Sequence, residues 1–204
     1  MRRVIAYIDG MNLYHGLRDR HGRRLHWLDV QSLAQSMLMT QQSLTRVNYF
    51  TARIRNQPSS ERRQEAYLSA LTAMCPQLLI VEGRYQERRE RCRSCGVLRV
   101  VYDEKETDVN IAAAIIRDAA SDAFDTALLF SADSDLVPAV TTARSLAPGK
   151  RFVAMFPPAR RSDALRRVCD GAMMVGDAKL RQAQLPEKIR LPDGTVLERP
   201  QYWH

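Results

Sequence analysis

Residues 126–135 read Thr-Ala-Leu-Leu-Phe-Ser-Ala-Asp-Ser-Asp, a short apolar run that ends on the carboxylates of Asp133 and Asp135. Residues 4–9 have the same form, because Val-Ile-Ala-Tyr-Ile leads directly into Asp9. Short apolar runs bounded by turn residues are typical of buried strands. In a parallel sheet the carboxyl ends of the strands share one edge, and ligands bind there. We therefore expect these carboxylates to lie close together.

A fourth carboxylate, Asp108, opens the helix predicted just before the strand at residues 126–130. Carboxylates in one crevice repel one another and lose water, and a hard divalent cation such as Mg²⁺ or Mn²⁺ offsets both costs. Three of the acids also have a structural interpretation: Asp9 ends a strand in a turn, Asp135 caps the next helix, and Asp108 suits a helix dipole. Asp133 has no such role in the pattern. Ser131 can hydrogen-bond an acid or a backbone amide in the same loop.

Strands alternate with helices along most of the chain, which indicates an α/β fold with a mostly parallel sheet and helices on both faces. Residues 83–102 break the alternation and are predicted to form a projecting hairpin. One domain is predicted over residues 1–184, followed by a tail over 185–204 that packs on it. The predicted strands are 3–9, 46–53, 78–82, 126–130, 151–156 and 172–175, and the predicted helices are 13–20, 29–39, 62–74, 108–120, 135–146 and 163–168.

Composition favours a soluble, cytoplasmic protein with a full core, since the apolar runs are much shorter than a membrane span and the amino terminus leads straight into a strand. The net charge of +8 comes almost entirely from arginine. Arginine suits phosphate, so a polyanionic partner is one interpretation, and a general preference for arginine over lysine is the other. Dinucleotide, P-loop and serine-hydrolase motifs are absent from the sequence. A DxD glycosyltransferase would leave Asp9 unexplained.

Cys92 and Cys95 form a CxxC turn, which is half of a zinc ribbon. A second CxxC or HxxxH is missing from the sequence, so a zinc site would need ligands brought by the fold or by a second subunit. Two reduced cysteines in an exposed turn are favoured over zinc, and a reversible disulfide is a third interpretation.

Several segments together resemble the bacterial NYN domain family of the PIN-like nuclease superfamily. The three signatures are Ile-Asp-Gly-Met-Asn-Leu-Tyr at 8–14, Glu-Lys-Glu-Thr-Asp-Val-Asn at 104–110 and Leu-Phe-Ser-Ala-Asp-Ser-Asp-Leu at 129–136. Residues 49–52, the helix over 64–71, the CxxC turn and the tail over 191–203 also match. Ala132 replaces a glycine often found in the third signature, which leaves both acids of that signature intact.

The resemblance implies a three-layer α/β/α sandwich and metal-dependent hydrolysis of RNA, with Mg²⁺ or Mn²⁺ as cofactor. It carries over Asp9, Asp108, Asp133 and Asp135 as catalytic metal ligands, with Asn12 as a polar residue that orients a ligand or phosphate. Lys105, Arg53, Arg84, Arg88 and Arg89 are candidates for phosphate contacts, or else solvated surface charges. The alternative is a non-catalytic RNA-binding or regulatory module. A toxin role, a homodimer and the RNA target are left open.

Overall fold

The computed structural model describes residues 1–92 and 94–203, with the backbone alone at 85–89 and 99–104. The strands are β1 Arg2–Asp9, β2 Gln42–Ala52, β3 Leu78–Arg91, β4 Leu98–Lys105, β5 Thr126–Phe130, β6 Arg151–Phe156, β7 Gly171–Met174, β8 Lys188–Arg190 and β9 Val196–Glu198. The α-helices are α1 Gly10–His21, α2 Val30–Ser36, α3 Pro58–Met74, α4 Thr107–Ala120, α5 Val137–Leu146, α6 Asp163–Val168 and α7 Asp177–Gln182. Two 3₁₀ turns cover Ser134–Leu136 and Gln201–Trp203.

The main sheet has the strand order β4-β3-β2-β1-β5-β6-β7. Neighbouring strands from β3 to β7 are parallel, and β4 alone runs antiparallel to its neighbour. The expected α/β sandwich with a mostly parallel central sheet is therefore confirmed. β8 and β9 form a separate antiparallel pair around Asp193 and Gly194.

Both faces of the sheet are covered by helices, and the side chains of β1 alternate between two cores. Val4, Ala6 and Ile8 pack with α1, α2 and α3 on one face. Ile5 and Tyr7 pack with α4, α5 and α6 on the other. A strand buried on both faces is apolar along its whole length, which explains the continuous run at the start of the chain.

The position of α4 is fixed by a buried polar contact with the sheet. The Tyr7 hydroxyl donates to Asp118 at 2.9 Å, and Arg46 and Arg117 pair with the same carboxylate. Burial and the Asp118 charge raise the pKa of Tyr7 well above its ordinary value, so the hydroxyl stays a donor. This contact holds the helix whose first turn carries Asp108.

β3 pairs with a different neighbour along each half of its length, and the second pairing confirms the predicted hairpin. Residues 78–83 pair with β2 in the parallel sheet, and residues 84–91 pair with β4. Gly83 lies at the change: a Cβ there would be 2.6 Å from the Lys105 carbonyl oxygen and 2.7 Å from Thr107 Oγ1. The close approach brings the end of the hairpin and the start of α4 back to the sheet.

Several helix bounds differ from the sequence predictions. α1 begins at Gly10, because Asp9 caps it directly after the strand. α3 begins at Pro58 instead of residue 62, since proline is tolerated in a first helical turn. α7 has no predicted counterpart.

The last residues pack against the rest of the fold. Trp203 is 6% exposed and joins the core on the α1 face, together with Leu185 and Ile189. The Trp27 indole donates to the Pro186 carbonyl oxygen at 2.7 Å. Within the described part of the chain, no helix is both long and apolar enough to cross a membrane.

Candidate active site

The carboxylate of Asp9 is held at the junction of β1 and α1. Ile8 pairs with Phe130 across β1 and β5, so the next residues, Asp9 and Ser131, lie side by side. Asp9 is 5% exposed; one oxygen accepts from the Asn12 backbone N–H at 2.9 Å and the other from the Ser131 hydroxyl at 2.9 Å. The first contact is a helix N-cap, which orients the carboxylate beyond the edge of the sheet.

Gly10 lets α1 begin this close to the sheet. A Cβ at Gly10 would lie 2.6 Å from the Phe50 carbonyl oxygen and 2.7 Å from the Tyr49 ring. These distances are too short for any side chain without a shift of the backbone. The glycine after Asp9 therefore serves the close packing of α1 on β2.

The loop after β5 is ordered by a chain of hydrogen bonds. The buried Ser131 oxygen accepts from the Asp133 backbone N–H at 3.0 Å while its hydroxyl donates to Asp9. Asn12 accepts from the Ala132 backbone N–H at 3.1 Å, which ties α1 to the same loop. The sequence predicts a bond from Ser131 to an acid or to a backbone amide, and the structure shows both.

Asp133, and not Asp135, is the N-cap of the turn that follows. Its Oδ1 accepts from the Asp135 backbone N–H at 2.9 Å, and the segment Ser134–Leu136 is a 3₁₀ turn ahead of α5. The predicted N-cap role of Asp135 is therefore wrong, because the helix begins later than the sequence suggests. Asp135 is exposed.

Asp108 lies in the first turn of α4 and faces the same edge of the sheet. Glu106, the residue before α4, has a φ of 74°, and this left-handed turn directs the chain from β4 into the helix. Partial loss of water raises the pKa of Asp108 above its ordinary value, and the nearby charges of Asp133 and Asp135 raise it further. Asp108 is therefore electrostatically coupled to both acids of the β5 loop.

These residues line one cavity of about 380 Å³, which we call the acidic cavity. Of the predicted site residues, it brings together Asp9, Asn12, Lys105, Asp108 and Asp133. Asp135 is not among its lining residues and acts on it only through its charge on Asp108. The expected gathering of strand-end acids is thus observed for Asp9 and Asp133, with Asp108 beside them.

The other predicted phosphate contacts are not lining residues of the acidic cavity, or their side chains are outside the described residues. Arg53 pairs with Glu82 at 2.7 Å and with Glu65, in a separate cavity. Arg84 pairs with Glu106 at 2.7 Å. The side chains of Arg88 and Arg89 are outside the described residues.

Six lining residues of the acidic cavity were not predicted as site residues, and three of them are ionisable: Glu106, Arg160 and His15. Arg160 donates to Asp19 at 3.2 Å, and its buried Nε has no hydrogen-bond partner in the described part of the chain. Arg160 lies in the loop that follows β6. Asp9 was identified because it follows a predicted strand, and the same search after β6 would have included Arg160. Partial burial, then the charges of Arg18 and Arg160, lower the pKa of His15, so this side chain is neutral near pH 7.

The donors of the acidic cavity suit an open, partly hydrated metal site better than a closed cage. Among the side chains that the structure describes, no group of three or more His, Cys, Asp or Glu residues is close enough to hold a metal ion. Each oxygen of Asp9 already accepts one hydrogen bond, and so does one oxygen of Asp133. Mg²⁺ commonly binds through one or two carboxylates and keeps several waters, so these oxygens fit it.

The CxxC turn closes on itself through its backbone. The Gly96 N–H donates to the Cys92 carbonyl oxygen at 2.9 Å. Hydrogen bonds from the Cys95 and Ser94 amides lower the pKa of Cys92 to about 7, while Cys95 is exposed. Both thiols are free, and zinc or a reversible disulfide at this turn stays a prediction.

Comparison with known proteins supports the same fold. Residues 3–175 match the NYN domain. A protein of unknown function from Vibrio parahaemolyticus has a crystal structure that superposes with a TM-score of 0.60 at 18% sequence identity, covering 86% of this chain and 94% of that chain. At this identity the likeness shows the fold alone. No curated protein matches the sequence.

Proposed function

Because the chain belongs to the NYN domain family, which is nuclease-like, we propose that it is a metal-dependent ribonuclease that hydrolyses RNA endonucleolytically. The observation that carries the proposal is the acidic cavity, where Asp9, Asp108 and Asp133 converge from three separate elements. A hydrogen-bonded loop holds two of them in place. Such an arrangement of fixed carboxylates exceeds what folding alone requires, since repulsion between them disfavours it.

The proposed cofactor is Mg²⁺ or Mn²⁺, with Asp9 and Asp133 as its ligands and Asp108 and Asp135 bound to it directly or through water. When bound, the ion would supply Lewis-acid activation of water and screening of the charge that develops on the phosphate. The chain itself supplies the orientation: Asn12 and Ser131 fix both oxygens of Asp9.

Two cations of the acidic cavity suit the phosphate of the substrate. Lys105 is an exposed lining residue, and the buried Nε of Arg160 has no hydrogen-bond partner among the described residues. Charge-assisted hydrogen bonds from such groups hold a phosphodiester and stabilise the added negative charge of its transition state. Because Lys105 and Asp108 are exposed, an internal stretch of RNA can reach the acids without a free end, which favours endonucleolytic cleavage.

The rival function is a non-catalytic RNA-binding module that keeps the acids for folding. Asp9 and Asp133 do serve as N-caps, so each has a structural role as well. Capping alone does not account for Asp108, which faces both of these helix starts across the acidic cavity. The two functions differ in one measurable respect, which is the formation of products in the presence of metal.

The test replaces Asp133 with Asn, which keeps the capping oxygen and removes the charge. We expect Mn²⁺-dependent cleavage of single-stranded RNA to fall by at least about a hundredfold while the melting temperature is nearly unchanged. Asp193→Asn is the matched control, because Asp193 accepts from a backbone N–H two residues on, at 2.9 Å, in the remote β8–β9 turn. Cleavage retained by Asp133→Asn would overturn the proposal. RNA binding that persists in EDTA, with no product in any metal, would establish the rival.

A further inference from the structure

A second cavity of about 570 Å³ adjoins the acidic cavity. It lies between α1, α3 and the last 3₁₀ turn, and Met11 and His15 line both cavities. Its volume is within the range of about 300–1,000 Å³ that is usual for small-molecule sites. We call it the aromatic cavity, after the rings of Tyr14, His26, Tyr49, Tyr67 and Trp203 in its wall.

The rings in this wall form a continuous ladder. The Tyr14 and His26 centroids are 4.6 Å apart with the planes inclined by 35°, and His26 lies 5.8 Å from Trp203. Tyr67 meets Trp203 edge-on at 5.8 Å. His26, Tyr67 and Trp203 are buried, while Tyr14 is half-buried and also meets the His15 ring at 5.5 Å with the planes nearly perpendicular. The ladder therefore presents one partly open ring to the cavity.

His26 in the ladder is neutral near pH 7, and the two charged residues of the lining are both arginines. Burial lowers the pKa of His26 to about 4, so its ring is neutral. Arg18 and Arg63 are the cations of the lining, and no Asp or Glu is among the described residues that form it. The acidic and aromatic cavities thus differ in charge although they share two residues.

One face of α1 connects the two cavities. Met11, Tyr14, His15 and Arg18 follow the spacing of a single helical stripe. The stripe begins beside Asn12, which is bonded to the loop of Asp133, and ends at the cation Arg18. A ligand that occupies both cavities therefore has its anionic part at one end of the stripe and its planar part beside the rings.

We propose that the aromatic cavity binds a nucleobase of the RNA, from a nucleotide next to the phosphate held in the acidic cavity. A base stacks on the exposed part of the Tyr14 ring, which is the contact that single-strand binders use without strong sequence preference. Arg18 and Arg63 attract the backbone phosphates that flank that base. This inference rests on the proposed function for the identity of the ligand, but it concerns binding and not cleavage.

The experiment measures the affinity of the full chain for a short single-stranded RNA in EDTA, by fluorescence anisotropy. Tyr14→Ala and Tyr14→Leu remove the ring and should weaken binding by about tenfold or more, while Tyr14→Phe keeps the ring and the affinity. Thermal melting of each variant identifies any that fails to fold. Equal affinity for the wild-type protein and a folded Tyr14→Leu variant would overturn the proposal.

A second arm separates stacking from a general change in structure. An abasic nucleotide is placed at each position of the RNA in turn. At one position, the missing base should lower the affinity of the wild-type protein for the RNA by about tenfold but leave the affinity of Tyr14→Leu unchanged. An equal abasic penalty in both proteins would overturn the proposal. So would nucleoside monophosphates that bind as tightly as the RNA, since the cavity would then be a mononucleotide site.

The failure of this inference can be told from failure of the proposed function. If the protein cleaves no RNA in Mn²⁺ yet shows the Tyr14-dependent abasic penalty, base binding stands and catalysis does not. If it cleaves RNA but Tyr14→Leu binds normally, catalysis stands and the base site does not.

Discussion

Ser131 is the residue on which the geometry of the acidic cavity most depends. It is 1% exposed, its hydroxyl donates to Asp9 at 2.9 Å, and its oxygen accepts from the Asp133 backbone N–H at 3.0 Å. Ser131→Ala removes both bonds without adding bulk. The predicted effect is a loss of stability together with a loss of orientation at two proposed metal ligands.

The magnitude follows from the two bonds. A hydrogen bond to a charged group contributes about 1.5–3 kcal/mol, and a neutral one about 1 kcal/mol. The Asp133 N–H is left without its acceptor, and Asp9 loses one of its donors inside a buried site. We therefore expect the free energy of unfolding to fall by about 2–4 kcal/mol. This exceeds the typical effect of a substitution at the surface, which is within about 0.5 kcal/mol.

Urea denaturation followed by circular dichroism measures this change, with Ser134→Ala as the matched control. Ser134 lies in the same loop but is exposed, so its replacement should change the free energy of unfolding by less than about 0.5 kcal/mol. Under conditions where Ser131→Ala is fully folded, RNA cleavage in Mn²⁺ should also fall, because Asp9 is no longer held. A loss of stability below about 0.5 kcal/mol would refute the reasoning, since the bonds would then contribute nothing net.

Two further predictions concern the surroundings of the site. The pKa of His26 is about 4 in the folded protein against an ordinary 6.5, so the unfolded chain takes up a proton first as the pH falls. Between about pH 7.5 and 5, the free energy of unfolding of the wild-type protein should therefore fall by about 2 kcal/mol relative to that of His26→Gln, as measured by denaturant titration at each pH. Parallel pH dependences for the two proteins would contradict this prediction. Gly10→Ala should lower the free energy of unfolding by about 1–3 kcal/mol through its clash with Phe50 and Tyr49, whereas Gly149→Ala, with open space around it, should not.

The sequence was sufficient to predict the edge of the sheet at which the acids meet. Short apolar runs that end on Asp9 and Asp133 identified adjacent strands, and the register of Ile8 with Phe130 then brings Asp9 beside Ser131. The rule is local, because it depends only on where each strand stops. Applied to β6, it would also have found Arg160 in the loop that follows.

Capping roles were harder to predict, because an aspartate at either of two neighbouring positions satisfies the same sequence pattern. In the sequence pattern, Asp133 and Asp135 are equally suited to accept from a backbone N–H at the start of the helix. A 3₁₀ turn ahead of α5 moves the first unpaired N–H groups toward Asp133, and no propensity in the segment signals that shift. A residue that both caps a turn and lines the cavity is held more firmly than one that does either alone, which favours Asp133 as a ligand over Asp135.

The aromatic cavity lay beyond sequence reasoning for a different reason. Tyr14, His26 and Trp203 belong to separate segments, and nothing in their spacing indicates that three rings form one ladder. They meet because the last 3₁₀ turn packs Trp203 into the core beside α1. A strand end determines where an acid lies, but a stacking wall depends on tertiary contacts between distant parts of the chain. Base recognition at Tyr14 should therefore depend on Trp203. In the Trp203→Ala variant, the loss of RNA affinity caused by an abasic nucleotide should be smaller than in the wild-type protein, and the melting temperature should be lower.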